Sequence, residues 1–431
     1  MQLKKSALLL LSVSLLCGDS LNELIDYAKS HATVVQTASL NAKLSQLKKK
    51  ESKANQFGEL DIVGSATMYN RSRTLIPLTP AIIQSGVHVV SSKELYSLGA
   101  SYTLPLFTGF AQQQDVAINQ MAEKMAQIRA ELTDEELIYN VRALYLSILG
   151  LQENLKAQDA YIEALDSLTQ LVAKEVEYGK KAKIDLLKAQ ADYEAARLQR
   201  ATILNNIELT KSSLSVLVGK DVEDIEPLAF DLTKQEESLE SLLAQVNGLK
   251  KVEVENIAVQ KAQKAIKKGE SQNWPQLQLA AYAGKNFAED ESTQVFDNED
   301  LWQVGLNLKW NIFDFGKTTA SIESAKIAKL KEDVAKKDTL RKLEKSLKDA
   351  WHTMQLHYTE YLSNTAQYEL AKESAAIEQV RYENDAATLN DLLLAKSKAQ
   401  LALSGVIASK YNYQKSKYYI QYLMERGDKS E

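Results

Sequence analysis

From Lys317 to Ser404 the chain contains neither a glycine nor a proline, and that absence restricts its fold more than any other feature. Glycine and proline are the residues that most disfavour helix interiors, so a run of this length predicts one or more very long helices. Directly before it, "LWQVGLNLKWNIFDFGK" (301–317) reads as a strand. Trp302, Val304, Leu306, Leu308, Trp310 and Ile312 alternate with Gln303, Gly305, Asn307, Lys309 and Asn311, giving one apolar and one polar face. "LYSLGASYTLPLFTGF" (95–110) makes the same handover to a helix earlier in the chain. At one constant offset Gly99 meets Gly305, Phe107 meets Phe313, Val116 meets Ile322 and Ala122 meets Ala328, while "DLLKA" (185–189) meets "DLLLA" (391–395). The chain is therefore expected to be an internal duplication. Each copy runs helix, strand, loop, strand, very long helix, turn, helix.

The first copy opens with a helix over about 20–56. "LDIVGSATMYN" (60–70) follows, with Leu60, Ile62, Ala66 and Met68 on one face and Asp61, Ser65 and Thr67 on the other. The second strand places Tyr96, Leu98, Ala100, Tyr102 and Leu104 against Ser97, Gly99, Ser101 and Thr103. "PQLQLAAYAGKN" (275–286) and 302–312 repeat the scheme. Each strand has about ten residues, the length that crosses a bilayer at a strong tilt.

The long helices, over 111–177 and 317–381, carry apolar residues at alternating spacings of three and four. Val141, Leu144, Ile148, Leu151, Leu155, Ile162, Leu165, Val172 and Val176 form one series, with Gln158 and Thr169 filling the two missing steps. Leu340, Leu343, Leu347, Ala350, Met354, His357 and Tyr361 form the other. Heptads sustained this far predict a coiled-coil seam. Each helix would be about 100 Å long, against a hydrocarbon core of about 30 Å, and both are rich in Lys, Glu and Gln. They must project into water, flanked by the shorter helices 20–56 and 183–218. Four strands cannot close a barrel, since the smallest have about eight, and open edges are excluded from lipid. Oligomerisation must complete the barrel. The expected organisation is an export segment (1–18), a first repeat (19–219), an inter-repeat linker (220–250), a second repeat (251–426) and a short tail (427–431).

The N-terminus "MQLKKSALLLLSVSLLCGDS" has two lysines followed by a short apolar run, the pattern of a secretory signal peptide and too short to span a bilayer as a helix. Cys17 is the single cysteine. Cleavage near Cys17–Asp19 and lipidation of Cys17 are both open. The residues Leu15 and Leu16 before the cysteine favour export without lipid, because lipoprotein signals carry small residues there. A net charge of −5 from 52 basic and 57 acidic residues argues against a nucleic-acid partner.

On these features the sequence resembles the TolC-like family of bacterial outer-membrane channel proteins, over nearly its whole length. The resemblance is carried by "LPLFTGFAQQQ" (104–114) and "WNIFDFGKTTASIESAK" (310–326) at the strand–helix junctions, with Pro105, Phe107, Gly109, Phe313 and Gly316 as the marked positions. It is carried further by the hairpin turns "YGKKAKIDLLKAQADY" (178–193) and "YENDAATLNDLLLAKSKAQ" (382–400), and by "AQKAIKKGESQNWPQLQLAAYAG" (262–284). It implies a mainly helical chain with a membrane β-barrel portion. In that family three chains share a twelve-stranded barrel, four strands from each, and their coiled-coil helices form an α-barrel in the periplasm. It also implies a homotrimeric exit duct in the outer membrane, working with a periplasmic adaptor and an inner-membrane transporter, ABC or proton-driven. Such ducts serve drug or metal efflux, or type I protein secretion. No cofactor is implied.

The family closes its tunnel where the hairpin turns meet. By that pattern Gly179 and Asp185 mark the first turn and Tyr382 and Asp391 the second. Asp385 stands where a glycine is usual, Ala387 where an arginine is usual, and Leu394 in place of a second aspartate. The resemblance implies that Tyr382 contacts Asp185, with Lys180, Lys181 or Arg381 as substitutes for the arginine. Three symmetry copies of Asp391, with or without Asp185, would make a cation-attracting ring. The competing reading for each aspartate is a charge that complements the dipole of the helix it begins.

Other features are blander. The acidic loop "AEDESTQVFDNED" (288–300) lacks the ligand spacing of a calcium loop and reads as a solvated hairpin tip. His352 and His357 lack the spacing of a zinc pair and a third ligand, so no metal site is expected. "KYNYQKSKYYIQY" (410–422) reads as the packed end of the last helix. The loop around 71–95 is unusually apolar and is expected to fold over the barrel mouth. No nucleophile elbow, metalloprotease helix or phosphate loop occurs, which argues against an enzyme. A secreted coiled-coil structural protein or adhesin is the alternative, but it leaves four membrane-length strands unexplained.

Overall fold

A computed structural model describes residues 18–427 apart from 231, 235 and 236. The export segment through Cys17, and with it the question of lipidation, lies outside the described residues, as do tail residues 428–431. The elements are α1 (Leu21–His31), α2 (Thr33–Ala54), β1 (Glu59–Thr74), α3 (Pro80–Ser85), β2 (Ser91–Phe107), α4 (Ala111–Glu177), α5 (Lys183–Val218), α6 (Leu239–Gln245), α7 (Lys250–Glu270), β3 (Gln276–Glu289), β4 (Phe296–Lys309), α8 (Lys317–Glu383) and α9 (Leu389–Leu423). The duplication is visible in the order. β1 and β2 correspond to β3 and β4, and α4 and α5 to α8 and α9. The two long helices have 67 residues each.

By contact the chain forms two compact units that interleave along the sequence rather than following the repeats. One gathers Leu40–Ile128 and Val254–Lys337; the other gathers the described residues up to Ser39, those of Arg129–Glu253 and those from Asp338 onward. In the unit that holds the strands, β1–β2–β3–β4 form one antiparallel sheet in that order. Directly opposed residues share a face, so the register defines rows across the sheet. Leu60, Tyr102, Ala281 and Val304 make one row, and Ile62, Ala100, Ala283 and Trp302 the next. Leu104, Leu279 and Leu306 continue the same apolar face. Ile62 is 86% exposed and Trp302 77%, so this face has no partner among the described residues. The apolar rows are interrupted at Gly64, Leu98, Lys285 and Asp300, where Lys285 and Asp300 pair at 3.0 Å, and resume with Ala66, Tyr96 and Phe287. The opposite face carries Asp61, Ser101, Tyr282 and Gln303. A sheet that is apolar outside and polar inside is what a barrel wall in lipid requires.

The strands are longer than the alternation alone suggested, at 16, 17, 14 and 14 residues. At the C-terminal end of β4 the correction runs the other way. The strand stops at Lys309, and Trp310 and Ile312 lie beyond it, although they continue the alternation. Trp310 donates its indole N–H to the Asn273 carbonyl at 3.1 Å. The opening helix is likewise two helices, because Ala32 adopts an extended conformation between α1 and α2.

The junctions explain their composition. After β2 come Gly109 and Phe110, and after β4 come Phe315 and Gly316, all with positive φ (62°, 69°, 57° and 86°). Each junction is thus a pair of consecutive left-handed residues, one glycine and one phenylalanine in swapped order, which turns the chain sharply from strand into helix. A bulky residue seldom adopts this conformation. Its ring is held in each case: Phe110 packs edge-on against Phe107 at 5.3 Å and Phe315 against Phe313 at 4.7 Å. Gly109 is required for a second reason, since a Cβ there would lie 2.4 Å from the Ser271 carbonyl oxygen. Pro105 lies in β2 beside the register shift between Pro105 and Phe107, where its missing N–H is accommodated. Asp314 then starts α8, accepting from the Thr318 and Gly316 N–H groups at 2.8 and 3.1 Å.

The loop between β1 and β2 contains α3, capped by Thr79, and is tied to the acidic loop between β3 and β4. Leu75 and Val90 pack with Ala288. Asp290 is 1% exposed. Its carboxylate accepts from the Ser292 N–H and hydroxyl at 2.7 and 2.6 Å, the Thr293 N–H at 3.0 Å, the Ser91 N–H at 3.2 Å and His88 Nε2 at 3.0 Å. These donors hold it well below the usual carboxylate range, the Ser292 hydroxyl foremost. Its oxygens are therefore occupied within the loop, and the acidic segment is a folded turn.

Among the described residues, three apolar clusters hold the helical unit. The first joins α1, α4 and α5 through Leu24, Val141, Ile148 and Leu214. The second joins α6, α8 and α9 through Leu242, Leu347, Met354 and Leu423. The third lies at the hairpin ends. The tyrosine-rich end of α9 is packed, as its composition suggested: Tyr413 is 1% exposed and donates to the Thr233 carbonyl at 2.8 Å. Tyr145 of α4 donates to the Glu226 and Asp19 carbonyls at 2.6 and 3.2 Å, and burial pushes its hydroxyl up to about 12. His357 pairs with Glu360 at 2.8 Å and His352 stands edge-on to Trp351. Among the described residues no helix is long and apolar enough to cross a membrane, and no cluster of three metal-ligating side chains occurs.

Candidate gate at the hairpin turns

Both hairpin turns are built alike. At the end of α4, Gly179 is left-handed (φ 74°), its N–H bonds to the Val176 carbonyl at 3.0 Å and the Lys180 N–H to the Glu175 carbonyl at 2.8 Å. At the end of α8, Asp385 is left-handed (φ 57°), its N–H bonds to the Tyr382 carbonyl at 3.0 Å and the Ala386 N–H to the Arg381 carbonyl at 2.7 Å. This is the paired-bond arrangement that ends many helices at a glycine. Asp385 occupies the glycine position because aspartate tolerates that conformation better than most side chains. Its carboxylate gives the position a function that glycine lacks.

That function is a contact between the hairpins. Lys181 Nζ donates to Asp385 Oδ1 at 2.8 Å and lies 5.0 Å from the centre of the Tyr382 ring. The pair raises the lysine pKa and lowers that of the aspartate, the hydrogen bond being the largest cause in both. Tyr382, 3% exposed, donates its hydroxyl to Glu175 Oε2 of α4 at 3.1 Å. Burial, reinforced by Glu175, raises the Tyr382 pKa far above its ordinary value, so it stays a donor. Beneath the contact Leu165, Leu168 and Val172 of α4 pack with Leu389 and Leu392 of α9.

The expected residues fall into place unevenly. Tyr382 does bridge the hairpins, but its partner is Glu175, which was not singled out from sequence. Among the described residues the Asp185 side chain makes no hydrogen bond; it acts on Tyr382 and Lys181 through its charge. Of the three cations named as substitutes for the missing arginine, Lys181 makes the cross-hairpin contact. Arg381 is engaged within its own hairpin, with Glu378 at 2.6 Å and the Ala386 carbonyl at 3.1 Å, and Lys180 is exposed. Superposing the turns on their left-handed residues would have found Glu175, since it then coincides with Arg381 and reverses its charge.

Asp185 and Asp391 occupy the same third position of α5 and α9, yet their surroundings differ. Asp391 forms a reciprocal cap with Thr388. Its carboxylate accepts from the Thr388 N–H at 3.1 Å and hydroxyl at 2.7 Å, while its own N–H bonds to Thr388 Oγ1 at 3.2 Å. The threonine hydroxyl is the main reason its pKa is lowered. Ala182 begins α5 and offers no such side chain. Asp391 is thus a helix-capping residue that also remains exposed.

Comparison with known proteins agrees with this architecture. The family model described as outer membrane efflux protein matches residues 24–220 and 241–423. No curated protein sequence matches the chain. Among solved structures it is similar to the Campylobacter jejuni CmeC outer membrane channel (17% identity, TM-score 0.79, 94% of this chain and 86% of that one). It is similar to the outer membrane protein VceC of Vibrio cholerae (16% identity, TM-score 0.79, 94% and 96%). It is also similar to the open state of the Neisseria gonorrhoeae MtrE outer membrane channel (17% identity, TM-score 0.77, 94% and 89%). At these identities the structural likeness establishes the fold, and the family match covers most of the chain. The chain belongs to the outer membrane efflux protein family.

Proposed function

We propose that three copies of the chain form a continuous exit duct across the outer membrane, fed in the periplasm by an adaptor protein and an inner-membrane transporter, ABC or proton-driven. The observation that carries this reading is the four-stranded sheet: apolar on its outward face, polar on the other, and, among the described residues, unpaired along the outer edges of β1 and β4. Backbone groups on open edges cannot remain unsatisfied in lipid, and four strands are about half of the smallest closed barrel. Three chains would supply twelve strands. The helical portion, polar and far longer than a bilayer is thick, belongs in the periplasm. Cargo is either small molecules for an efflux pump or a polypeptide for type I secretion.

Within the duct, the hairpin turns act as the closable end. Closure is held by the Tyr382–Glu175 hydrogen bond and the Lys181–Asp385 pair, and three copies of Asp391, with or without Asp185, give the constriction an attraction for cations. The experiment is fractionation followed by electrophoresis and bilayer recording of the export-processed chain. SDS-resistant, heat-sensitive trimers in the outer-membrane fraction and discrete conductance steps are expected. A stable monomer in plain buffer with no affinity for detergent would overturn the proposal.

A further inference from the structure

The buried seam of α4 changes character at Gln158. On the side of lower residue numbers, Leu146, Ile148 and Leu149 pack with Ile203, Ile207 and Ile407. On the other side, Leu165, Leu168 and Val172 pack with Ala189 and Leu392. Between these clusters Gln158 is 4% exposed, at a step of the heptad where an apolar residue would continue the seam. Both ends of its amide are engaged. Nε2 donates to the Ala196 carbonyl of α5 at 2.9 Å, and Oε1 accepts from Gln400 Nε2 of α9 at 3.0 Å. Close by, the Ser404 hydroxyl of α9 donates to Asn154 Oδ1 of α4 at 2.8 Å. Asn364 Nδ2 of α8 donates to the Gly405 carbonyl of α9 at 3.1 Å. A polar layer thus ties all four helices of the two hairpins at one level.

Apolar layers specify axial position poorly, because leucines shifted along a seam still meet leucines. A buried amide with both ends bonded is satisfied in one register only, and a slip leaves it unpaired where water cannot reach. The gate lies roughly 25 Å farther along α4. A slip of one turn, about 5.4 Å, would carry Tyr382 out of reach of Glu175.

We propose that Gln158 is a positioning residue for the gate: paired with Gln400, it sets the axial register of α4 against α9 and so brings Glu175 level with Tyr382 and Lys181 level with Asp385. The functional consequence rests on the gate reading given above; the register itself does not.

The test uses the full-length, membrane-extracted protein carrying Lys181→Cys and Asp385→Cys, joined by a short bismaleimide. Linked peptides are quantified by mass spectrometry from the monomer band of a denaturing gel, which also separates them from Cys17. The decisive variant is Gln158→Leu/Gln400→Leu. Replacing both partners by apolar groups of similar size leaves no orphaned amide and is close to neutral for stability, so the fold survives even if Gln158→Leu alone does not. Linkage is expected to fall by about threefold or more at an unchanged melting temperature. The control is Thr169→Val, at the other polar step of the same seam. Among the described residues the Thr169 hydroxyl bonds only to the Leu165 carbonyl of its own helix, at 2.8 Å, and its replacement should leave linkage intact. Undiminished linkage in the double variant overturns the proposal, whatever the conductance does. Failure of the double variant to assemble also overturns it, because the layer would then hold the fold rather than its register. Reduced linkage with unchanged conductance in otherwise native turns supports the register role and counts against the gate.

Discussion

Lys181 and Asp385 meet at 2.8 Å across the two hairpin turns, where the family pattern is broken twice, at Asp385 and at Ala387. The aspartate takes up a left-handed conformation where a glycine is usual, and the lysine supplies the cation that Ala387 does not. The two departures compensate one another. The contact is exposed on the aspartate side, at 83%, which makes it sensitive to salt. Lys181→Gln should therefore raise the open fraction in bilayer recordings at low ionic strength. At about 1 M salt, where the Debye length is near 3 Å, variant and parent should coincide. A difference that persists at high salt would assign Lys181 a role beyond its charge.

Tyr382→Phe removes one hydrogen bond and leaves the ring in place. A bond from a hydroxyl to a carboxylate contributes about 2 kcal/mol, so the closed state should weaken by up to roughly 30-fold. Expected are longer open times and unchanged trimer stability on electrophoresis. Unaltered gating would remove Tyr382 and Glu175 from the latch.

Acid should loosen the turns. The pKa values of Asp385 and Asp391 are both lowered from 3.8, the first chiefly by Lys181 and the second by Thr388. A lowered folded-state pKa means that the stabilisation is present above the unfolded value and is lost as pH falls through the folded one. Conductance fluctuations should accordingly rise only below about pH 4, with pH 5–8 flat for these groups. Asp385→Asn and Asp391→Asn should each remove part of the acid response.

Asp391→Asn also separates capping from selectivity. Asparagine can still receive the Thr388 hydrogen bonds through its amide oxygen, so α9 should still start there under a weaker, uncharged cap. Cation preference, measured as a reversal potential across a salt gradient, should decrease. An unchanged reversal potential would leave Asp391 a capping residue only.

The strand–helix junctions give a contrast between two glycines. Gly109→Ala places a Cβ 2.4 Å from the Ser271 carbonyl oxygen at a left-handed residue. Gly316→Ala meets nothing within 4 Å and carries only the conformational cost of about 1 kcal/mol. Heat-modified electrophoresis should show Gly109→Ala trimers dissociating at a clearly lower temperature than those of Gly316→Ala. Equal behaviour would mean that the backbone around Ser271 yields.

Much of this architecture is legible in the sequence because its two periodicities are strong and repeated. The alternation of Leu60, Ile62, Trp302 and Val304 fixes the outward face of the sheet, and the heptads through Leu165 and Leu347 fix the helix seams. Boundaries were harder where local pattern and tertiary bonding disagree. Trp310 continues the alternation of β4, but its indole N–H bonds to Asn273 and the strand has already ended. Ala32 breaks the opening helix without a glycine or proline to announce it. At the turns, Asp185 and Asp391 look equivalent in "DLLKA" and "DLLLA", and their difference lies three residues upstream, in Ala182 and Thr388. Glu175 was missed because its role depends on which residue the opposite turn presents, and spacing along one helix does not carry that information.

The unequal starts of α5 and α9 bear on how an end made from these turns would yield. One rim position is braced by its own threonine and the other is not. A ring of identical copies would alternate firm and compliant posts around its circumference. Widening would then begin at the post headed by Ala182, with the neighbour headed by Thr388 acting as the fulcrum.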